Sequence, residues 1–302
     1  MKKFRILTFD GGGVRGVLSI EILSRIIEKY PNFLDKVDLF SGTSTGSIIA
    51  CLLAKGVPIS EIRSLYSKDT LKKIFSPCSI GLLRPKYNNK ALKKLLDNYF
   101  DDNYKISNFK KFIFIPSFYL GDTTSTSWKA VFFNNLSQNK TSDIPVKDAI
   151  LASSAAPTYF PSYKNYIDGG VIANSPTAIS LLTTLSSVNN CNRENVSLLS
   201  IGTGNIPEKI TGKTTKWGAL QWAFNITSKM NSPIISLLLD GMSDLENLYC
   251  AEFLKNNYFK INPDVPKFID IDNYKYTDLL KSIGRKCDMM NLFKFLKYSY
   301  LS

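Results

Sequence analysis

The sequence predicts an α/β fold with a parallel sheet, and three features of its first sixty residues support this prediction. A short apolar run, Phe4 to Phe9, is typical of a buried strand and leads into the glycine-rich stretch "DGGGVRG". Apolar residues then recur at helical spacing in "VLSIEILSRIIEKY". A second strand, "KVDLFSG", passes through "TSTG" into the apolar helix "SIIACLLAKG". Strands that alternate with helices in this way indicate βαβ units.

The same pattern continues to about residue 205. Helices are predicted in "ISEIRSLYSKD", "NKALKKLLDNYF", "PVKDAILASSAAP" and "TAISLLTTLSS", and strands in "KFIFIPSFYL", "WKAVFFNN", "YIDGG" and "NVSLLSIGTG". Beyond residue 205 the sequence predicts a mainly helical region, which includes "WGALQWAFNITSKM", and a late strand in "NYFKINPDV". We therefore expect an α/β domain over residues 4–205 and a mainly helical region, 206–302, packed on the same domain.

Composition limits the possible functions. The 302 residues are 44% hydrophobic, and 38 Lys and Arg against 25 Asp and Glu give a net charge of +13. A basic surface attracts nucleic acid, anionic lipid or small anions, although dispersed lysines equally fit an ordinary soluble protein. The N-terminal apolar run is too short for a signal peptide, and no run is long enough to cross a bilayer. We expect a cytoplasmic protein, and composition leaves the nature of its partner open.

The chain contains no histidine, which removes the usual general base and the commonest metal ligand. Its five cysteines lie far apart without a C-x-x-C pair, and no carboxylate run has calcium-loop spacing. We therefore expect neither a metal nor a cofactor, and any catalytic mechanism must use another base.

The turn "GTSTG", residues 42–46, is a G-x-S-x-G between a strand and a helix. This context favours Ser44 as a nucleophile, since a sharp turn exposes its hydroxyl at a helix N-terminus. Asp168, which follows an apolar strand in "YIDGG", is the best-placed candidate base, although an Asp-Gly-Gly is more often only a turn.

The first glycine loop has two interpretations. Gly11, Gly13 and Gly16 match the dinucleotide-binding pattern G-x-G-x-x-G, which needs an acidic residue at the end of the second strand. Asp38 instead precedes the apolar part of that strand, and Ser44 follows it. An oxyanion hole formed by backbone N–H groups of Gly11 to Gly13 would explain both loops.

Taken in order, "DGGGVRG", "GTSTG" and "DGG" resemble the patatin-like phospholipases, lipid acyl hydrolases with a Ser–Asp dyad. The blocks "ASSAAPTYFPS", "DGGVIANSP" and "LSIGTG" agree, so the likeness covers roughly residues 4–205. It implies a mostly parallel central sheet flanked by helices in three α/β/α layers, with a helical C-terminal extension. It also implies Ser44 as nucleophile, Asp168 as base and Gly11, Gly12 and Gly13 as oxyanion hole. The residues that support these motifs are Asp10, Arg15, Gly16, Gly42, Gly46, Gly169 and Gly170.

The resemblance implies hydrolysis of fatty-acyl esters of phospholipids or lysophospholipids, with peripheral contact to a membrane surface and no nucleic-acid partner. An acyltransferase with the same dyad, a nucleotide-binding protein and a non-catalytic lipid-binding module are the alternatives. The stretch "FSPCSIGLLRPKY", with Ile80, Leu82 and Leu83, is either a lid over an acyl channel or an ordinary loop. "NLFKFLKYSYL" is either an interfacial helix or a helix that closes the core. Arg15 either meets a lipid phosphate or tethers its loop to a nearby carboxylate.

Overall fold

A computed structural model describes residues 3–81, 83–124, 127–136, 140–206, 210, 214–223 and 233–302. The predicted lid residue Leu82 and the end of the predicted helix beyond residue 223 lie outside the described residues. The strands are β1 (Phe4–Phe9), β2 (Leu39–Gly42), β3 (Phe112–Tyr119), β4 (Lys129–Asn134), β5 (Tyr166–Asp168), β6 (Val196–Ile201) and β7 (Tyr258–Ile261).

These strands form one mostly parallel sheet in the order β4-β3-β2-β1-β6-β7. β2, β1, β6 and β7 run parallel to their neighbours, and β3 runs parallel to β2. β4 and β5 both pair with β3 in the antiparallel direction. The predicted fold class is confirmed, and the predicted late strand is β7.

The helices of the first half are α1 (Gly16–Lys29), α2 (Phe33–Lys36), α3 (Thr45–Lys55), α4 (Ile59–Leu65), α5 (Lys68–Ile74) and α6 (Lys90–Asp97). Those of the second half are α7 (Val146–Ser153), α8 (Gly170–Ala173), α9 (Thr177–Ser187), α10 (Ala219–Ala223), α11 (Pro233–Leu254), α12 (Thr277–Lys286) and α13 (Met290–Phe295). The single helix predicted over residues 59–69 is wrong, because Ser67 adopts an extended conformation and caps a new helix through the Thr70 amide.

Helices cover both faces of the sheet because its strand residues alternate between two apolar cores. Leu7, Phe40 and Leu199 belong to the larger core, together with buried residues of α1, α3 and α7. Ile6, Leu39 and Leu198 belong to the smaller core, which α9 and α11 cover. The arrangement therefore has three layers.

The C-terminal segment closes the larger core. α12 packs on α1, and Leu292, Phe295, Leu296 and Tyr300 are buried. The burial of these side chains supports the interpretation that "NLFKFLKYSYL" closes the core. Among the helices of the described ranges, none is both long and apolar enough to cross a membrane.

Candidate active site

Ser44 occupies a strained turn between β2 and α3. Its φ of 54° and ψ of −121° are unusual for a residue with a side chain, and it is the N-cap residue of α3. Strain of this kind at a strand-to-helix turn is characteristic of a nucleophile elbow. Ser44 is partly exposed, whereas its neighbours Thr43 and Thr45 are buried. The hydroxyl group is therefore accessible at the positive end of a helix.

Gly42 and Gly46 allow this turn because the backbone is packed too closely for side chains. A Cβ atom added at Gly42 would lie 2.0 Å from the Gly46 carbonyl oxygen. One added at Gly46 would lie 2.3 Å from the Phe9 carbonyl oxygen, in the neighbouring strand. The G-x-S-x-G spacing thus follows from the contact between the start of α3 and the ends of β1 and β2.

Sheet topology brings Asp168 to Ser44. β2 and β5 lie on the same side of β3, where Ser41 pairs with Phe114 and Asp168 pairs with Ser117. The two strands run in opposite directions, so their C-terminal ends approach each other head to head. The Ser44 hydroxyl lies near enough to the Asp168 carboxyl to affect its pKa, and both residues line one cavity. Two residues separated by 124 positions therefore meet at one point of the sheet.

The environment of Asp168 disfavours its charge. Burial raises the pKa of the Asp168 carboxyl to about 7, against the opposing effect of hydrogen bonds from the Gly170 amide and the Ser44 hydroxyl. The Gly170 amide donates to Asp168 Oδ1 at 2.7 Å. Gly169 has no room for a side chain, since a Cβ there would lie 2.2 Å from the Pro116 carbonyl oxygen. The Asp-Gly-Gly sequence therefore orients the carboxyl group and holds it against β3.

The glycine loop borders Ser44, but the three backbone amides predicted to form the oxyanion hole are not equivalent. The Gly11 amide donates to the Asn174 carbonyl at 2.8 Å, so it is not free to bind an oxyanion. Gly12 and Gly13 line the same cavity as Ser44 and Asp168. Gly13 has a φ of 57°, and a Cβ there would lie 2.1 Å from the Ile271 carbonyl oxygen. The backbone amides of Gly12 and Gly13 therefore remain as the predicted oxyanion donors.

Two further loop residues hold the glycine loop against its surroundings. A Cβ at Gly16 would lie 2.6 Å from Thr45 Oγ1, so this glycine allows α1 to approach the elbow. Arg15 is buried, and its Nε donates to the Gly12 carbonyl at 3.4 Å. Its side chain therefore lies back against its own loop.

Residues of the blocks "ASSAAPTYFPS", "DGGVIANSP" and "LSIGTG" surround the glycine loop and the elbow. The sequence indicated no role for Ser153, Asn174 or Thr203 within them. Ser153 accepts a hydrogen bond from the Ser44 amide through its hydroxyl and one from the Gly169 amide through its carbonyl. Thr203 donates to the Gly11 carbonyl at 2.8 Å. With Asn174, these residues link the two halves of the site. The sequence signal that could have identified them is the presence of small polar residues next to the motifs.

The C-terminal region also contributes to the site, which no motif indicated. Lys260, on β7, forms an ion pair with Asp10 at 2.7 Å, and both side chains are largely buried. The Ile271 carbonyl accepts a hydrogen bond from the Val14 amide at 2.8 Å. The glycine loop is therefore fixed from the region beyond residue 205.

Two cavities meet at Ser44. The first encloses about 620 Å³, partly open to solvent, and is lined mainly by apolar groups, among them Ile74 of α5 and Leu95 of α6. The second encloses about 490 Å³ and is lined by polar as well as apolar groups, among them Arg15 and Asp168. Ser44 and Ile271 border both. The serine hydroxyl thus lies between an apolar space and a mixed one.

Comparison with known proteins decides the family. A model of the family described as patatin-like phospholipase matches residues 7–181, more than half of the chain. The chain belongs to the patatin-like phospholipase family. The resemblance predicted from the motifs is confirmed, and the protein is a hydrolase that acts on lipids. Membership favours this activity over the nucleotide-binding interpretation of the glycine loop.

Individual patatin-like relatives extend the match. Protein teg of Priestia megaterium is 29% identical over 322 aligned residues, which span 99% of this chain and 100% of that protein. Patatin-like protein 4 of Arabidopsis thaliana is 27% identical, over 93% of this chain and 82% of that protein. A cGAMP-activated phospholipase of Escherichia coli is 32% identical, over 67% of this chain and 62% of that protein. The first two alignments continue beyond the motif-bearing region, because they cover nearly the whole chain.

Proposed function

We propose that the protein hydrolyses fatty-acyl ester bonds of phospholipids or lysophospholipids, with Ser44 as nucleophile and Asp168 as general base, at a membrane surface that it contacts peripherally. The observation that carries the proposal is the Ser44 hydroxyl beside a buried carboxyl whose pKa is about 7, at the junction of two cavities. Relatives named as phospholipases support the lipid substrate.

The reaction has two steps. Ser44 Oγ attacks the ester carbonyl carbon, and its proton passes to Asp168 as the Oγ–C bond forms. Asp168 then donates this proton to the departing alcohol, which breaks the ester C–O bond and leaves an acyl-enzyme. A water molecule, deprotonated by Asp168, attacks the acyl carbon, the fatty acid departs, and the proton returns to Ser44. Every proton transfer uses the same carboxyl group.

Three features lower the barrier. A base is most effective when its pKa lies near the working pH, and burial gives Asp168 a pKa near neutrality. The N-terminus of α3 favours negative charge that develops on Ser44. Backbone amides of Gly12 and Gly13 are the proposed oxyanion donors, and one such donor typically contributes about 3–4 kcal/mol.

The two cavities suggest how a lipid is oriented. The apolar cavity, lined by Ile74 and Leu95, suits the acyl chain, whose burial is favourable in proportion to its apolar area. The second cavity, with Arg15 and Asn174, would take the glycerol and head-group side of the ester. The carbonyl carbon then lies at Ser44, where both cavities meet.

The test is mass spectrometry of lipid mixtures before and after incubation with the wild type and with Ser44→Ala. Free fatty acid and the matching lysolipid should accumulate with the wild type only. Added glycerol or lysolipid distinguishes transfer from hydrolysis, because a transferase would yield new esters in place of fatty acid. Equal product formation by Ser44→Ala would refute the nucleophile assignment.

A further inference from the structure

The stretch of chain from α5 to α6 is strongly basic, presents aliphatic side chains to solvent and lines the apolar cavity. Residues 70–96 contain no Asp or Glu but contain seven basic residues, Lys72, Lys73, Arg84, Lys86, Lys90, Lys93 and Lys94. All of them are exposed except Lys86, which pairs with Asp272. This strongly basic segment is called the 70–96 segment below.

The tip of the 70–96 segment presents aliphatic side chains to solvent. Ile80 is 89% exposed and Leu83 is 93% exposed. The loop beneath them is well ordered by hydrogen bonds, since the Cys78 amide donates to the Lys86 carbonyl and Ser79 Oγ donates to the Pro85 carbonyl. Full exposure of two large aliphatic groups on a hydrogen-bonded loop is costly in water and indicates a surface that meets an apolar phase.

The inner side of the same segment forms the wall of the apolar cavity. Leu71, Ile74 and Phe75 of the α5 region and Leu92 and Leu95 of α6 line it together with Ser44. The base of the loop is attached next to the site, because the Lys86 and Tyr87 amides donate to the Thr158 and Tyr159 carbonyls. The exposed apolar tip and one wall of the cavity that borders Ser44 therefore belong to the same stretch of chain.

A second exposed apolar surface, on α11, provides a contrast. Leu237 is 51% exposed and Leu248 is 55% exposed. The helix also carries the exposed acidic residues Asp244 and Glu252, and its sequence has no Lys or Arg. An anionic bilayer repels this charge and attracts that of the 70–96 segment, at about 1 kcal/mol for each basic residue near the surface.

We propose that the 70–96 segment is the surface that docks on anionic phospholipid bilayers, with Ile80 and Leu83 inserted among the lipids and the basic residues on the head groups. This inference rests on the proposed function, because it names the surface through which a lipid substrate would approach Ser44. Binding itself requires no catalysis.

The experiment measures vesicle binding by co-sedimentation with the Ser44→Ala variant of the 302-residue chain, so that vesicles stay intact whether or not the proposed activity is correct. Vesicles consist of phosphatidylcholine alone or of phosphatidylcholine mixed with phosphatidylglycerol. We expect binding to the mixed vesicles, and we expect added salt to weaken it. Ile80→Ser/Leu83→Ser should weaken binding at least about tenfold. Lys72→Gln/Lys73→Gln/Arg84→Gln should weaken it about 100-fold at low salt.

Leu237→Ser/Leu248→Ser is the matched control, because it removes two exposed leucines from the acidic helix, and it should bind as the parent does. Thermal unfolding of each variant should match the parent, since the altered side chains are exposed. Unchanged binding by the 70–96 variants, or a loss confined to the α11 variant, would overturn the proposal. A loss with the charge variant alone would show electrostatic contact without insertion, and would also overturn it. Catalytic failure of the wild type would leave these results unaffected.

Discussion

The tripeptide Asp-Gly-Gly occurs twice in this chain, at residues 10–12 and 168–170, and the two copies have opposite electrostatic surroundings. Both aspartates are buried where a strand ends. Asp10 is neutralised by Lys260, whereas Asp168 has the Ser44 hydroxyl and the Gly170 amide as partners and a pKa of about 7. The comparison shows that a local sequence does not determine whether a carboxylate is a structural anion or a candidate base. The cation beside it does.

The largest expected effect is on turnover by Asp168→Asn. Asparagine keeps the shape of the side chain but cannot accept the proton, so ester hydrolysis should fall by about 10²–10⁴-fold, the usual contribution of a general base. Turnover of a phospholipid or a soluble ester measures it.

Glu246→Gln is the matched control for Asp168→Asn. Burial raises the pKa of Glu246 to about 7 as well, and this carboxyl contacts the Ala178 amide on the opposite face of the sheet. Its replacement should leave turnover within about twofold, because nothing in the proposed reaction passes through it. A comparable loss in both variants would mean that the activity depends on buried charge in general, not on Asp168 as a base.

The next effect concerns stability at Asp10. Lys260→Met removes the cation from a buried pair and should destabilise the protein by about 3–5 kcal/mol, because Asp10 is left charged in an apolar environment. In the described structure Asp10 Oδ1 already has no hydrogen-bond partner. Chemical denaturation measures this change.

The double variant Asp10→Asn/Lys260→Met sharpens the result. It should recover most of the lost stability, since both charges are gone. If Lys260→Met alone leaves the free energy of unfolding unchanged, the buried Asp10 carboxylate does not need its cation. The contrast drawn between the surroundings of Asp10 and Asp168 would then be lost.

A third effect is the pH dependence of activity. The reaction needs ionised Asp168, whose pKa is raised to about 7 by burial, so kcat/KM should fall about tenfold per pH unit below that value. The pH profile with a soluble ester measures it without changes in lipid charge. A profile that stays flat down to pH 5 would be incompatible with Asp168 as the base.

The smallest effect is a stability gain in Glu246→Gln. A carboxyl with a raised folded-state pKa contributes stability at low pH that is lost as the pH rises through about 7. Replacing it should therefore stabilise the protein at pH 8 by about 1 kcal/mol, or about 2–4 °C in Tm, and less at pH 5. Calorimetry at both values checks this. An equal change at the two pH values would exclude ionisation as its cause.

The sequence by itself determined the alternation of strands and helices, the sharp turn at Ser44 and the family. These features depend on residues close together in the chain: apolar periodicity, glycines at tight turns and the order of the motifs. The boundary between α4 and α5 was missed even at this level, because Ser67 competes with helix continuation by capping the next helix.

Only the tertiary structure decided which glycine amide is already hydrogen-bonded, which aspartate is paired with a cation and what lies against the glycine loop. The Gly11 amide is engaged by Asn174, Asp10 is paired by Lys260, and Val14 is bonded to Ile271. Each of these contacts joins residues more than 150 positions apart. Local patterns carry no information about such partners, because charge neutralisation and close packing depend on distance in space, which the sheet order sets.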